Sequence, residues 1–270
     1  MTTPDTHAIP TLWQRQQLDD GQRVLYEIGP LRLWIQRTSH EWQIATEGLT
    51  GVEDRLAVSR PEWAPVDVVW RRWAFRDESD GAQLEPVMPD RALVVRPESS
   101  LVIPPGEEVL FFVSIPLWVR AKVAAASGFI TLLEVPTVVL SNTWFGETTD
   151  GDLCYALKTG ASRSLAGIKR GGYRVVCPLM LRNHSEDQLN FQKICLRTQY
   201  VKIYAGATRY WTDSVTITYE GRQQLSTINY GTQAPDHEPI SGEIGPAREV
   251  VRKNLVQRSF GNLRSMAFFQ

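Results

Sequence analysis

Apolar and polar residues alternate along much of the chain, with the period of two that is typical of β-strands. Residues 32–37 and 41–46 show this alternation twice, and the short turn-like stretch between them predicts a hairpin. Residues 66–76 alternate as well, but the register switches between Trp70 and Trp73. The switch predicts a bulge or a strand that is buried on both faces.

The densest strand pattern lies between residues 91 and 230. It predicts strands over residues 92–95, 101–103, 109–115, 117–123, 131–134, 137–141, 153–159, 173–182, 191–196, 201–205 and 214–219. Turn residues separate these segments at intervals of about ten residues. Short strands at this spacing predict an antiparallel, immunoglobulin-like β-sandwich.

The composition changes after residue 230. Residues 231–245 are rich in Gly, Pro and acidic side chains, which is typical of a linker. Pro246 suits a helix start, and residues 247–258 predict a short basic helix. Its candidate partner-binding residues are Val251, Leu255, Val256, Phe260, Leu263, Arg252 and Arg258. Two interpretations stay open: the segment folds back onto its own sandwich and covers an edge strand, or it docks onto a partner.

The chain is therefore expected to be all-β and to have four parts. A flexible N-terminus covers residues 1–20, and an N-terminal β-rich portion covers residues 21–90. The β-sandwich domain covers residues 91–230, and the linker with its C-terminal basic amphipathic helix or tail covers residues 231–270. A length of 270 residues accommodates one large core or two of ordinary size, so one sandwich or two remain possible.

Composition and charge narrow the functional classes. The residues after Gly245 carry five basic side chains and one acidic, so with a net charge of −1 the preceding body is acidic. An acidic body argues against nucleic-acid binding, which needs a basic footprint. No window is apolar enough for a membrane span, the first ten residues lack the pattern of a secretory signal, and the three cysteines show no CxxC spacing. These features predict a cytoplasmic protein with buried, reduced thiols.

Three carboxylates cluster in one predicted turn, beside Trp144 and Phe145. Glu147, Asp150 and Asp152 are weak candidates for a calcium site or for a glycosidase pair. The alternating ligand pattern that ends in a bidentate glutamate is absent, and adjacency in sequence does not place two carboxylates across a cleft. A solvated turn is the simpler interpretation.

Other chemical motifs give no site. The four histidines are far apart in sequence and lack metal-ligand spacing. Residues 169–172, Lys-Arg-Gly-Gly, join two predicted strands and so do not form a phosphate-binding loop. We predict no catalytic residue, no cofactor and no metal.

One stretch of sequence resembles a known family. The segments Pro-Pro-Gly-Glu-Glu-Val-Leu-Phe-Phe-Val-Ser-Ile-Pro-Leu-Trp at 104–118, Leu-Ser-Asn-Thr-Trp-Phe-Gly at 140–146 and Leu-Cys-Tyr-Ala-Leu at 153–157 are similar to domain-of-unknown-function family 432. The similarity covers approximately residues 91–230. It implies an association of some members with genes for small-conductance-type mechanosensitive channels, and it implies no catalytic residues.

These observations lead to one leading hypothesis and two alternatives. The leading one is a non-enzymatic cytoplasmic interaction module, with a protein partner that is a membrane channel or another copy of the chain. As an accessory subunit of such a channel, it would lie at the inner membrane through its protein partner, with no span of its own. The first alternative is a carbohydrate-active or hydrolytic β-sandwich enzyme that uses the carboxylates of the 147–152 turn. The second is a small-ligand sensor domain, suggested by the nine tryptophans.

Overall fold

The computed structural model describes residues 12–50, 54–76, 79–126, 128–168, 171–221, 226–250 and 255–257. The strands are β1 Gln16–Gln17, β2 Arg23–Ile28, β3 Leu31–Thr38, β4 Glu41–Gly48, β5 Leu56–Ser59, β6 Arg71–Ala74, β7 Gly81–Val87, β8 Leu93–Val95, β9 Leu101–Ile103, β10 Glu108–Pro116, β11 Trp118–Ala125, β12 Gly128–Pro136, β13 Ser141–Gly146, β14 Gly151–Ala156, β15 Ala161–Ser162, β16 Arg174–Asn183, β17 Leu189–Phe191, β18 Ile194–Leu196, β19 Ile203–Gly206, β20 Tyr210–Thr212, β21 Val215–Tyr219, β22 Ser226–Tyr230, β23 Ile240–Gly245 and β24 Leu255–Gln257. Single-turn 3-10 helices occur at Leu165–Gly167 and Thr198–Tyr200. The predicted all-β class with antiparallel sheets is confirmed.

The chain forms two compact units that interleave in sequence. Unit 1 comprises Met1–Val87, Pro116–Val139 and Arg170–Arg174, and unit 2 comprises Met88–Ile115, Leu140–Lys169 and Val175–Gln270. β11 and β12, which the strand pattern grouped with the sandwich domain, thus belong to the same unit as the N-terminal strands.

Unit 1 contains two antiparallel sheets, ordered β1-β7-β11-β12 and β5-β2-β3-β4-β6. The predicted hairpin of β3 and β4 is present, and Ile35 pairs directly with Ile44. In each sheet, alternate residues are buried: Val119, Ala121 and Val123 of β11 are inaccessible, whereas the intervening Arg120 and Lys122 are partly exposed. One apolar face per sheet is the pattern of a β-sandwich.

Two glycines of unit 1 lie in tight packing contacts. Tyr173 packs against Gly29, where an added Cβ would lie 2.4 Å from the tyrosine ring. Gly172 is as tightly placed against the side chain of Leu56. A larger residue at either position would displace the side chain of Tyr173 or Leu56, so both glycines contribute to the packing.

Unit 2 contains a nine-stranded sheet in which β23, β19, β20, β16, β21, β22 and β24 follow one another and β10 and β15 pair at the side. A four-stranded sheet has the order β13-β14-β8-β18, and β9 pairs with β17. Although most pairings are antiparallel, β16 runs parallel to both β20 and β21, and β14 runs parallel to β8. β20 and β21 pair with successive parts of the same strand, β16, and Asp213 lies in the break between them.

The buried carboxylate of Asp213 stabilises that break. It accepts hydrogen bonds from the backbone N–H of Lys202 at 2.7 Å and from the Tyr204 hydroxyl at 2.8 Å. Burial raises the pKa of the Asp213 carboxyl, and these two hydrogen bonds oppose the shift without cancelling it.

The prediction of one strand over residues 66–76 is wrong. Only β6 at its end is a strand, and Val66 and Val69 are almost fully exposed, as is Trp63. β5 and β6 lie at opposite edges of their sheet, so the chain between them has to travel from one edge to the other. A segment that crosses from one edge of the sheet to the other cannot pair along its length with a strand of that sheet, even where its apolar and polar residues alternate.

The prediction of a C-terminal helix is also wrong for the described residues. Pro246 to Val250 are not helical, and Leu255 and Val256 belong to β24, which pairs with β22. The free edge of β22 offers unpaired backbone groups, and β-branched valines suit an extended chain, so tertiary pairing overrides the helical period. The segment predicted as a linker contains β23, which pairs with β19.

The thiol side chains follow the predicted burial, whereas the tryptophans differ: Trp63 is exposed, Trp70, Trp73 and Trp118 are partly exposed, and Trp211 is buried. Trp211 is buried in a cluster with Phe112, Ile168, Val176 and Tyr204. All three cysteines are buried and unbridged, as expected for Cys154 and Cys177. Burial raises the pKa of the Cys177 thiol to about 12, which makes it inert at neutral pH.

Candidate functional site

The hairpin of β13 and β14 carries the residues that resemble the family, and its two faces differ sharply. Phe145 and Cys154 point inward and are buried beside Val94 and Cys195. On the opposite face, Trp144 pairs directly with Leu153, and Asn142 pairs with Tyr155. Trp144 and Leu153 remain 49% and 48% exposed. We call the outward set Trp144, Leu153, Tyr155 and Asn142 the hairpin face.

The indole of Trp144 is held in place although half of it is exposed. Its Nε1–H donates a hydrogen bond to the carbonyl of Glu147 at 2.8 Å. It also lies against Gly151, where an added Cβ would come within 2.5 Å of Nε1. Gly146 adopts a φ of +118°, which lets the turn close without a side chain in the way. Contacts within the hairpin therefore hold the exposed Trp144 indole in one position without any partner.

Polar groups border the aromatic surface. The Tyr155 hydroxyl donates to Asp90 Oδ1 at 2.8 Å, and Arg91 Nη1 donates to Asn142 Oδ1 at 3.2 Å. The Arg91 guanidinium also lies 5.3 Å from the centre of the Tyr155 ring, within cation–π range. Burial, followed by the nearby Asp90, raises the pKa of Tyr155, so the hydroxyl remains a donor.

The three carboxylates of the 147–152 turn do not converge. Glu147, Asp150 and Asp152 are all exposed, and the backbones of Glu147 and Asp150 bond each other across the turn at 3.1 and 3.3 Å. Asp152 lies on the same strand face as Cys154 and forms a 2.6 Å ion pair with Arg197. No group of three His, Cys, Asp or Glu in the described part of the chain could hold a metal ion. This geometry gives no support to the hydrolytic alternative.

Cys154 and Cys195 bring two thiols together, with 3.9 Å between their sulfur atoms. Their hydrogen bond lowers the pKa of Cys154 and raises that of Cys195. β8 lies between their strands, so the two backbones are about two strand spacings, roughly 9–10 Å, apart. A disulfide needs Cα atoms within about 7 Å, so the pair is a packing contact in this fold.

No described contact joins the hairpin to the predicted partner-binding residues of the C-terminus. Leu255 and Val256 lie in β24. Val251, Arg252, Arg258, Phe260 and Leu263 lie outside the described residues. The described part of the segment is fastened to unit 2, where Arg248 Nε donates to Met88 O at 2.6 Å and Glu249 N donates to Gln199 O at 3.0 Å.

The outward position of Trp144 could have been found from sequence. In Trp-Phe-Gly, neighbouring strand residues face opposite ways, so in a sheet with one solvent face either Trp144 or Phe145 is exposed. The strand predicted at residues 137–141 ended too early to apply this rule, because β13 begins at Ser141.

Comparison with known families shows which family the chain belongs to. The family model described as "Protein of unknown function (DUF432)" matches residues 12–266. The chain belongs to the DUF432 family. The match extends well beyond residues 91–230, so both compact units belong to the DUF432 architecture.

The other comparisons add no DUF432 relative of known activity. No curated protein and no solved structure matches the chain. No helix among the described residues is long and apolar enough to cross a membrane.

Proposed function

We propose that this DUF432 protein is a non-enzymatic interaction module that binds a protein partner through the hairpin face. The observation that carries the proposal is the Trp144 indole, which is half exposed yet held by Glu147 O and Gly151. A rigid aromatic side chain loses little conformational freedom on binding, so its apolar area contributes more fully to affinity.

The composition of the hairpin face supports a protein partner. Trp, Tyr and Arg are the residues that most often dominate the energy of protein–protein interfaces. Here Trp144 and Leu153 provide the apolar centre, and Tyr155, Arg91 and Asp90 provide a polar border. An exposed apolar centre with a polar rim is the usual anatomy of such an interface.

For the identity of the partner, we propose a small-conductance-type mechanosensitive channel, with this protein as a cytoplasmic accessory subunit. The support is the family resemblance and its implied association with channel genes. In that role the chain lies at the inner membrane through the channel.

The test is binding of the purified full chain to the channel from the same source in detergent. We expect saturable binding that Trp144→Ala weakens at least tenfold, with Leu153→Ala having a smaller effect. Val102→Ala, at another half-exposed apolar position of unit 2, is the matched control and should bind like the parent.

Two results would overturn the proposal in different ways. If the parent chain does not bind the channel, the channel assignment is wrong. If it binds but Trp144→Ala binds equally well, the hairpin face is not the interface. Urea unfolding of each variant shows whether a loss of binding reflects a loss of folding.

A further inference from the structure

β12 forms one edge of the four-stranded sheet of unit 1, where among the described strands it pairs with β11 alone. It is nine residues long and mostly apolar, and Phe129 and Ile130 are 42% and 41% exposed. Edge strands of this length present a row of backbone groups to solvent, and proteins protect them with charges, prolines or bulges. Pro136 lies at the end of β12, so the exposed residues 128–131 are left to accept a further strand.

The single charge of β12 does not protect it. Glu134 is turned toward the sheet, where Arg120 Nε lies 2.6 Å from its carboxylate. Arg120 also contacts Glu85 at 3.0 Å, so Glu134 belongs to a neutralised cross-strand network. No charged side chain of β12 itself is left to repel an incoming strand.

A β-bulge determines which residues of β12 share a face. Leu133 pairs with Ala121 and Thr131 with Lys122, so Leu132 is the inserted residue. Ile130 pairs with Val123, and both Val123 and Ala121 are buried. Ile130 and Leu133 therefore face the core side, whereas Phe129 and Glu134 face the opposite side.

We propose that β12 pairs antiparallel with β12 of a second copy of this chain, about a two-fold axis between Thr131 and Leu132. This register sets Ile130 of one copy against Leu133 of the other on the core side. It sets Phe129 against Glu134 on the opposite side. In both of these pairs the two residues lie on the same face, as a two-fold interface requires.

The bulge also favours a second copy over an unrelated strand. The bulge leaves Leu132 without a directly opposed residue in the pairing with the regular strand β11. A second copy brings the same bulge to the two-fold axis, so the two irregularities coincide. This pairing would close an edge that otherwise remains open in each copy.

Charge complementarity supports the antiparallel direction. Lys122 Nζ lies 5.6 Å and Arg15 Cζ lies 5.9 Å from the ring of Phe129, so that end of β12 is basic. Glu134 lies at the other end, where it shares the single Arg120 with Glu85. Antiparallel pairing places Glu134 of each copy at the basic end of its partner. Lys122 already forms an ion pair with Glu85, and Arg15 forms one with Asp80. Their attraction to Glu134 of the second copy therefore helps to determine the register and adds little to the affinity.

The test is sedimentation velocity of the full chain from about 1 to 200 µM, a range that covers weak interfaces below the standard area of about 1,600 Å². We expect a concentration-dependent dimer. Phe129→Glu should weaken dimerisation at least tenfold, because it sets two glutamates against each other in the dimer. Within one copy, the new glutamate faces Lys122 and Arg15, so the monomer should stay folded.

A second variant tests the register itself. Adding Glu134→Lys to Phe129→Glu sets opposite charges together again and should restore the dimer in large part. Val139→Glu, at an exposed position of unit 1 outside β12, is the matched control and should dimerise like the parent.

A monomer at every concentration overturns the proposal. A dimer that survives Phe129→Glu places the contact elsewhere, and a Phe129→Glu monomer that the second substitution does not rescue overturns the register. Trp144→Ala should leave the dimer unchanged, which separates this surface from the hairpin face.

Discussion

At the scale of single residues, burial decides which side chains matter, and sequence type alone does not. Trp42 and Trp211 are fully buried, whereas Trp63 is almost fully exposed. Trp42 and Trp211 stand among strand-forming residues, whereas Trp63 stands between Pro61 and Pro65. Replacing a buried tryptophan with alanine typically costs about 3–5 kcal/mol of stability, and an exposed one costs little.

Asp213 gives a prediction for the pH dependence of stability. Its pKa in the folded state is raised by burial above the value of about 3.9 in an unfolded chain. The contribution of such a group is present below the unfolded pKa and is lost as the pH rises through the folded pKa. We expect the stability of the parent, relative to Asp213→Asn, to fall with rising pH by about 1.4 kcal/mol for each unit of pKa shift.

Urea unfolding of both proteins between pH 3.5 and 8 measures this difference. The variant keeps an acceptor for the Lys202 N–H, so the break between β20 and β21 should survive. A difference in stability that is constant with pH, or that grows in favour of the parent, would contradict the raised pKa.

At the scale of elements, the β13–β14 hairpin depends on a glycine. A Cβ on residue 151 would lie 2.5 Å from Trp144 Nε1 and 2.7 Å from the backbone carbonyl of Phe145. Gly151→Ala should therefore displace the indole, break its bond to Glu147 O and lower the free energy of unfolding by about 1–3 kcal/mol. Partner binding should weaken in parallel with that of Trp144→Ala.

Urea unfolding and tryptophan fluorescence measure the two effects of this substitution. Gly48→Ala is the matched control, since nothing lies within 4 Å of a Cβ there. We expect it to change stability by no more than about 0.5 kcal/mol. If Gly151→Ala is as mild as Gly48→Ala, the indole is not held by the turn as described.

At the scale of the whole molecule, the described C-terminal residues belong to the body of unit 2. β24 extends the sheet at β22, and Arg248 and Glu249 bond to Met88 and Gln199. A chain that ends at Gly245 should lose about 2–3 kcal/mol, because each lost hydrogen bond contributes about 1 kcal/mol. Its melting temperature should fall by roughly 5–10 °C.

Calorimetry of two truncated chains checks this expectation. A chain that ends at Gln257 keeps β24 and should melt close to the full chain. If the chain ending at Gly245 is equally stable but no longer binds a partner, the C-terminus is a docking element, as the second interpretation of its sequence held.

Much of the candidate site could be predicted, because its parts are local in sequence. The turn at residues 147–150, the burial of Cys154 and the family resemblance all follow from short segments. Once β13 is placed correctly, strand alternation also predicts that Trp144 and Phe145 face opposite ways, but only the tertiary structure decides which of the two is buried. Its contact with Gly151 depends on the register of two strands, which no single segment specifies.

The sequence by itself determined the all-β class, the β3–β4 hairpin and most strands of the middle segment, because a period of two is a local property of the chain. Only the tertiary structure decided where a strand finds its partner. Residues 66–76 alternate without pairing along their length, since the chain must run between opposite edges of a sheet. Residues 255–257 belong to a segment whose pattern predicts a helix but form β24, since the edge of β22 supplies their hydrogen bonds. Alternation shows that a segment can form a strand, and a partner distant in sequence determines whether it does.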